Sequence, residues 1–438
     1  MAEPRQSPDC PPRKLPLWIR ILLVFGSLSL AWQLYSWAAS EPIDLPPQTL
    51  STRPGAGSVD VAVMLAAHLN APLTAGNRFT LLENGDEIFP AMLAEIRNAK
   101  RSVHLLTYVY WTGDIAHTFA NELAAAARRG VEVRLLLDAF GARKIDPDWV
   151  EQMEQAGAEV EWFRPLRWDN LDNFNNRTHR KVLVVDGRVA FTGGVGIAQE
   201  WVGDAQDAEH WRDDHFRIEG PVVRYLQGSF AENWREASDV VLAGDAVFPP
   251  LQPVGDARAV PISTAPGDHF TGIPLTYWMM FRTAREEILI ATPYYVPDPN
   301  LELGLMEAAR RGVKVTLLVP GPYQDSALVR YASRTYYRGL IEAGVRVFEF
   351  QPTVMHTKLV VVDRTLALIG SPNFDSRSIE LNYEIAVAVH DPEFAQRLVA
   401  SYTHDLSRSE ELGMRDVEQW SLLERTRDSA ALLLRDQL

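Results

Sequence analysis

The sequence predicts an α/β protein of two similar α/β/α lobes, each around a mixed β-sheet and related by a pseudo-twofold, behind an N-terminal transmembrane helix. Three observations carry that expectation: an internal repeat, two alternating hydrophobic patterns inside each repeat, and a long apolar run near the N-terminus. In the first half AKRSVHLLTYVY (Ala99 to Tyr110) is followed by AAARRGVEVRLLL, then AGAEVEWF, then THRKVLVVDGRVAFTGG. In the second, AREEILIATPYY (Ala284 to Tyr295) is followed by EAARRGVKVTLLV, then AGVRVFEF, then MHTKLVVVDRTLALIGS. Thr107 and Thr292 are 185 residues apart but His179 and His356 only 177, so loop insertions separate the shared elements. The β-branched apolar runs read as buried strands and the Ala/Arg/Glu-rich stretches closed by Gly as helices, the pattern of an α/β layer.

Taken in chain order, residues 1–45 are expected to form a cytoplasmic tail and membrane anchor. Ile21 to Ala39 is almost wholly apolar, long enough to cross a bilayer, and preceded by Arg13, Lys14 and Arg20. The positive flank keeps the N-terminus in the cytoplasm and sends the rest outward, to the non-cytoplasmic side of the cell membrane. A cleaved signal peptide ending near Ser36-Trp37-Ala38 is the rival, though its apolar region would ordinarily be shorter. Residues 46–248 are assigned to the first lobe and 249–410 to the second, with Phe248-Pro249-Pro250 through Pro253 as the boundary. After Ser401 the chain reads as helix, and 411–438 as a C-terminal helical segment.

Composition narrows the function. The chain has 438 residues, 47% apolar and 23% charged, an ordinary balance for a folded protein of two or more domains. Its net charge of −14 disfavours a nucleic-acid backbone as main partner. Cys10 is the single cysteine, which excludes a disulfide framework and a cysteine nucleophile or metal site.

The chemistry lies in a repeated pattern: His179, Lys181 and Asp186 in one half, His356, Lys358 and Asp363 in the other, with identical spacing. Residues two apart on a strand share a face, so each His and Lys project side by side. Each Asp falls near a strand end, where it is better placed to fix a turn than to touch substrate. A lone His on an apolar strand is usually a core residue, but a neighbouring Lys is rarely buried without cause, and the repetition reverses the balance. Two imidazoles and two ammoniums suit a phosphodiester: one imidazole attacks phosphorus, another protonates the leaving alcohol, and the lysines hold the oxygens. No metal or cofactor is then required, and no other histidine joins a metal-ligand pattern such as HExxH. Arg128-Arg129 and Arg310-Arg311 read as solvated helix ends.

These two full HxKxxxxD motifs resemble the phospholipase D superfamily, and within it the likeness is to bacterial cardiolipin synthases. The latter is carried by Thr292-Pro293-Tyr294-Tyr295-Val296-Pro297-Asp298, by Ala308-Ala309-Arg310-Arg311-Gly312-Val313 and by GSPNFDSRS from Gly370, and spans about residues 80 to 405. The resemblance implies that His179 is the nucleophile, forming a phosphohistidine, and His356 the general acid, with the reverse assignment as the alternative. It implies that Lys181, Lys358 and Asn373 bind phosphate oxygens, with Ser371 beside them, and that Glu384 orients a catalytic histidine. Aligning RIEGP with AVHDP sets Asp213 opposite Glu384 as the second orienting residue, with Asp214 next in line. The first motif departs from the pattern: Gly194 stands where Ser371 does, and Gly196 where Asn373 does.

The implied activity is a phosphatidyltransferase that makes cardiolipin from phosphatidylglycerol, releasing glycerol, with membrane phospholipids as partners and no nucleic acid. Two alternatives stand beside it: a hydrolase of the same superfamily, or a silent lipid-binding scaffold, the last disfavoured by two intact His-Lys pairs. The aromatic loops Tyr108-Val109-Tyr110-Trp111 and Tyr294-Tyr295, and the segment Trp168 to Arg177, are compatible with a lipid-facing mouth.

Overall fold

The computed structural model describes residue 27 and residues 60–166, 175–267 and 272–437. The anchor expected within residues 1–45 lies outside these apart from residue 27, as does most of the Trp168 to Arg177 segment. Among the described residues no helix is long and apolar enough to cross a membrane.

The strands are β1 (Thr74–Glu83), β2 (Ser102–Thr107), β3 (Glu132–Asp138), β4 (Glu159–Phe163), β5 (Val182–Val185), β6 (Val189–Gly193), β7 (Asp214–Glu219), β8 (Ala257–Thr264) and β9 (Glu287–Ala291). They continue with β10 (Tyr295–Val296), β11 (Lys314–Pro320), β12 (Arg346–Phe350), β13 (Leu359–Val362), β14 (Leu366–Gly370), β15 (Phe374–Asp375), β16 (Glu384–His390) and β17 (Ser409–Leu412). All but β10 and β15 join one mixed sheet. From the antiparallel β1–β8 pair, the order runs outward as β1-β7-β6-β5-β2-β3-β4 on one side and β8-β16-β14-β13-β9-β11-β12-β17 on the other.

The expectation of one sheet per lobe is corrected here: the two sheets share an edge and are continuous. β1 and β8 would otherwise be edges with unpaired backbone groups, and joining them satisfies both. Asn77 reinforces the seam, donating through Nδ2 to Ala257 O at 3.1 Å and accepting from Val222 N at 2.8 Å.

Side-chain alternation explains the layers. Leu183 and Val185 of β5 join a core with Ile88, Phe119 and Leu123 from helices Asn84–Asn98 and Asp114–Arg128. Val182 and Val184 point the other way, into a core shared with Leu226, Phe394 and Leu398. In the second half Val360 and Val362 of β13 pack with Met280, Phe281 and Leu305 from helices Ile273–Thr283 and Pro299–Arg310.

The C-terminal expectation needs one amendment. Helix Pro392–Ser407 is followed by β17, which pairs antiparallel with β12, and only then by helices Met414–Gln419 and Leu422–Ala431. β17 is Ser-Glu-Glu-Leu, a charged edge strand whose sequence reads as helix but whose backbone completes β12.

Candidate active site

Each histidine is fixed by the opposite half of the sheet. His179 N donates to Tyr383 O at 3.0 Å while Tyr383 N donates to Arg177 O at 2.9 Å. In the same pattern, His356 N donates to Arg212 O at 2.7 Å and Arg212 N to Val354 O at 2.9 Å. These short crossings bring each imidazole to a carboxylate of the other half: His179 Nδ1 lies 2.8 Å from Glu384 Oε1, and His356 Nδ1 lies 2.8 Å from Asp213 Oδ2. An ionised carboxylate only accepts, so Nδ1 carries the hydrogen and Nε2 keeps its lone pair.

The lysines follow on the same faces. Lys181 Nζ donates to His179 O at 2.9 Å, and Lys358 Nζ to His356 O at 2.8 Å. Lys358 Nζ also sits 3.2 Å from His356 Nε2. All four side chains are buried, and burial governs their protonation. Burial, then repulsion from Lys358, pushes Lys181 down to about 7. Burial pushes Lys358 down to about 8 against the pull of Asp213. Burial lowers His179 to about 4 although Glu384 opposes it, and burial and Lys358 together lower His356. The resting site therefore holds two neutral imidazoles beside two lysines of weakened basicity.

The two carboxylates are held differently. Ser371 Oγ donates to Glu384 Oε2 and accepts from Ile385 N at 3.0 Å. At Gly194, the counterpart of Ser371, a Cβ would fall 2.2 Å from Asp213 Oδ1, so no side chain fits. Asp213 is held instead by Trp201 Nε1 at 2.9 Å and by Asp214 N at 2.8 Å. Trp201 also explains Gly196, whose Cβ would lie 2.6 Å from Val109 Cβ and 3.3 Å from the Trp201 ring. The indole meets His356 edge-on at 5.3 Å between centroids, and Tyr108 meets His179 in the same way at 5.3 Å. Sequence reasoning did not single out Trp201; the only signal was the pair of glycines where the other half has Ser and Asn.

The remaining predicted residues divide. Asn373 is buried in the turn after β14, its side chain bonded to Asp375 and its Oδ1 without a hydrogen-bond partner. Asp214, next in line after Asp213, belongs to a different cluster: Arg212 Nη1 bonds its carboxylate at 2.5 Å and Arg212 Nε bonds Asp405 at 3.0 Å.

Asp186 and Asp363, grouped with the catalytic set from the motif, stand apart from the imidazoles. Each lies five residues beyond its lysine, about 16 Å along a strand. Asp186 accepts from the backbone N–H of Lys100, Arg101 and Ser102, and Asp363 from Arg285, Glu286 and Glu287. Both adopt left-handed backbone, φ +52° and +49°. Their work is to tie the hairpin turns to the starts of β2 and β9, because a carboxylate alone can take three N–H groups there.

Arg180, the unassigned middle residue of the first motif, was also missed. Fully buried, it donates to Glu384 O, Ser229 O, Asn233 Oδ1 and Thr264 O at 2.9–3.2 Å, and so joins the two halves behind His179.

The α/β sheet, with a histidine and a lysine from each half, defines an enzyme of phospholipase D type. Comparison with known proteins gives the family: residues 92–234 and 278–406 match the model described as "Cardiolipin synthase, PLD-like domain". Among curated proteins, the chain is 33% identical to the probable cardiolipin synthase YwiE of Bacillus subtilis (strain 168), over 84% of this chain and 73% of that one. It is 31% identical to the major cardiolipin synthase ClsA of the same organism, over 86% and 78%. Among solved structures, phosphatidylserine synthase of Haemophilus influenzae Rd KW20 superposes with a TM-score of 0.64 at 15% identity, over 86% of this chain and all of that one, a likeness of fold. The chain belongs to the cardiolipin synthase family of phospholipase D-like proteins and is a phosphatidyltransferase of that superfamily.

Proposed function

We propose that this enzyme forms cardiolipin from two molecules of phosphatidylglycerol, releasing glycerol, through a phosphohistidine on His179. The crossed imidazole–carboxylate pairs carry the reading, since they leave two Nε2 atoms and two lysines for one phosphate. In the first step His179 Nε2 attacks phosphorus, the bond to the headgroup oxygen breaks, and His356 gives that oxygen a proton. In the second, the headgroup hydroxyl of another phosphatidylglycerol gives its proton to His356 and attacks the same phosphorus, freeing His179. Lys181 and Lys358 balance charge on the non-bridging oxygens, and Asn373 offers its remaining N–H.

The assignment of His179 as nucleophile fits its lowered basicity, which keeps Nε2 unprotonated, and the bond of Lys181 to its carbonyl oxygen. His356 is neutral at rest; the negative phosphodiester raises its proton affinity on arrival, and Nε2 then takes from solvent the proton it gives to the headgroup oxygen. A pseudo-twofold relation between lobes 46–248 and 249–410, broken at Trp201 and Ser371, gives the two imidazoles different tasks. The segment from Ile21 to Ala39 anchors the chain in the membrane, with the lobes on the non-cytoplasmic side.

Purified protein incubated with headgroup- and acyl-labelled phosphatidylglycerol tests the reading. Cardiolipin and glycerol in equal amounts support it. Phosphatidic acid in place of cardiolipin identifies a hydrolase, and no turnover by folded protein leaves a lipid-binding scaffold.

A further inference from the structure

The C-terminal segment carries an apolar surface that no element of the described chain covers. In helix Leu422–Ala431, at 100° per residue, Leu422, Leu423, Thr426 and Ala430 fall within an arc of about 100°. The 3₁₀ turn Leu432–Gln437 continues it with Leu433 and Leu434. The four leucines are 81%, 80%, 62% and 49% exposed, far from the usual state of a leucine on a helix with one packed face.

The opposite face of the same helix is committed. Asp428 lies 3.3 Å from Arg334 Nε, the Arg427 guanidinium stacks 3.7 Å from the Tyr331 ring, and Ala431 packs with Val296, Val329 and Ala332. The helix is thus fixed with its leucines outward.

Its position ties this surface to the candidate site. Gln437 accepts from Asn175 Nδ2 at 2.8 Å, and Arg377 Nη1 lies 3.1 Å from Asn175 Oδ1. Asn175 begins the short run into Thr178 and His179, and Arg377 follows the turn of Ser371 and Asn373. Val296, under Ala431, pairs with Asp375 of that turn.

We propose that the leucine stripe of residues 422–434 docks on the surface of a phospholipid bilayer and sets the mouth of the site against it. The inference rests on the phospholipid substrate proposed above. A diacyl lipid can bring its phosphate to buried histidines only if its chains remain in an apolar phase, so the surface bordering the site must meet lipid. The stripe borders it. Charge does not drive the docking, because residues 411–438 hold four arginines against six carboxylates. Attachment therefore comes from apolar burial, and salt and the anionic lipid fraction leave it unchanged.

The test uses the full chain with Cys10→Ser and a single cysteine at Leu423, Leu434 or, as control, exposed Glu151, each labelled with nitrobenzoxadiazole. In phosphatidylcholine vesicles, with or without phosphatidylglycerol, the labels at 423 and 434 should shift to the blue and be quenched by acyl-chain spin labels, while that at 151 stays as in water. This readout needs no turnover, so it stands or falls separately from the proposed reaction. Leu423→Glu with Leu434→Glu should lower kcat/KM on vesicle-embedded phosphatidylglycerol by at least ~5-fold and leave that on monomeric short-chain phosphatidylglycerol unchanged. Equal loss on both substrates, labels that remain aqueous, or a blue shift that grows with protein concentration without vesicles would overturn the proposal, the last pointing to a second copy.

Discussion

Each imidazole has one nitrogen committed to a carboxylate and one available for chemistry, and substitutions at this scale separate the tasks. His179→Ala and His356→Ala should each lower phosphatidyl transfer by about 10³-fold or more with circular dichroism unchanged; near-normal turnover in either would refute a shared site. Trp201→Phe keeps the ring against His356 but removes the N–H that holds Asp213, and a fall in kcat of about 10-fold with little change in KM is expected. A loss confined to KM would assign Trp201 to lipid binding. His356, which must carry a proton to act as acid and whose hold on it burial weakens, sets the alkaline side of the pH response together with the two lysines. As pH rises through about 7 and about 8, Lys181 and Lys358 lose the charges that hold phosphate, so kcat/KM should fall there. His179 takes a proton only near about 4, which puts the acid limb well below 6.5. An alkaline limb at the ordinary lysine value of 10.5 would contradict the burial argument.

At the scale of elements, the motif mixes two jobs that the sequence displays as one string. The His and Lys positions were legible because period-two spacing on a strand and chemical type point the same way. The role of Asp363 was legible only in part, because the three amides it accepts belong to a segment 76 to 78 residues away. Asp363→Ala should destabilise the fold by about 2 kcal/mol, as those N–H groups lose their acceptor, while the folded enzyme keeps its kcat. Loss of kcat with unchanged urea midpoint would return the residue to the reaction. β17 was hidden for another reason: in Ser-Glu-Glu-Leu, backbone pairing to β12 outweighs side-chain propensity.

Across the whole molecule, the repeat and both α/β layers could be read from alternating periods, but the joining of the sheets could not. The β1–β8 contact depends on edge complementarity, which no local pattern in TAGNRFTLLE or ARAVPIST encodes. Asp213 was found because the repeat supplied an alignment; Trp201 and Arg180 have no counterpart in the other motif and so no such guide. Arg180→Met would take a donor from four buried oxygens, of which Asn233 Oδ1 keeps Thr178 Oγ1. A stability loss of roughly 3 kcal/mol is expected, together with reduced transfer at temperatures where the protein remains folded. Unchanged melting and activity would mean that the halves do not depend on it.

The crossed partnership of imidazole and carboxylate constrains inheritance as well as chemistry. A hybrid joining the first portion of this chain to the second portion of a relative would marry His179 to a foreign glutamate and Asp213 to a foreign histidine. Only combinations whose borrowed backbones keep both couplings in register would work. Natural exchange of such portions should accordingly be rare, and change at Glu384 and Asp213 should travel with change in the segments that carry His179 and His356.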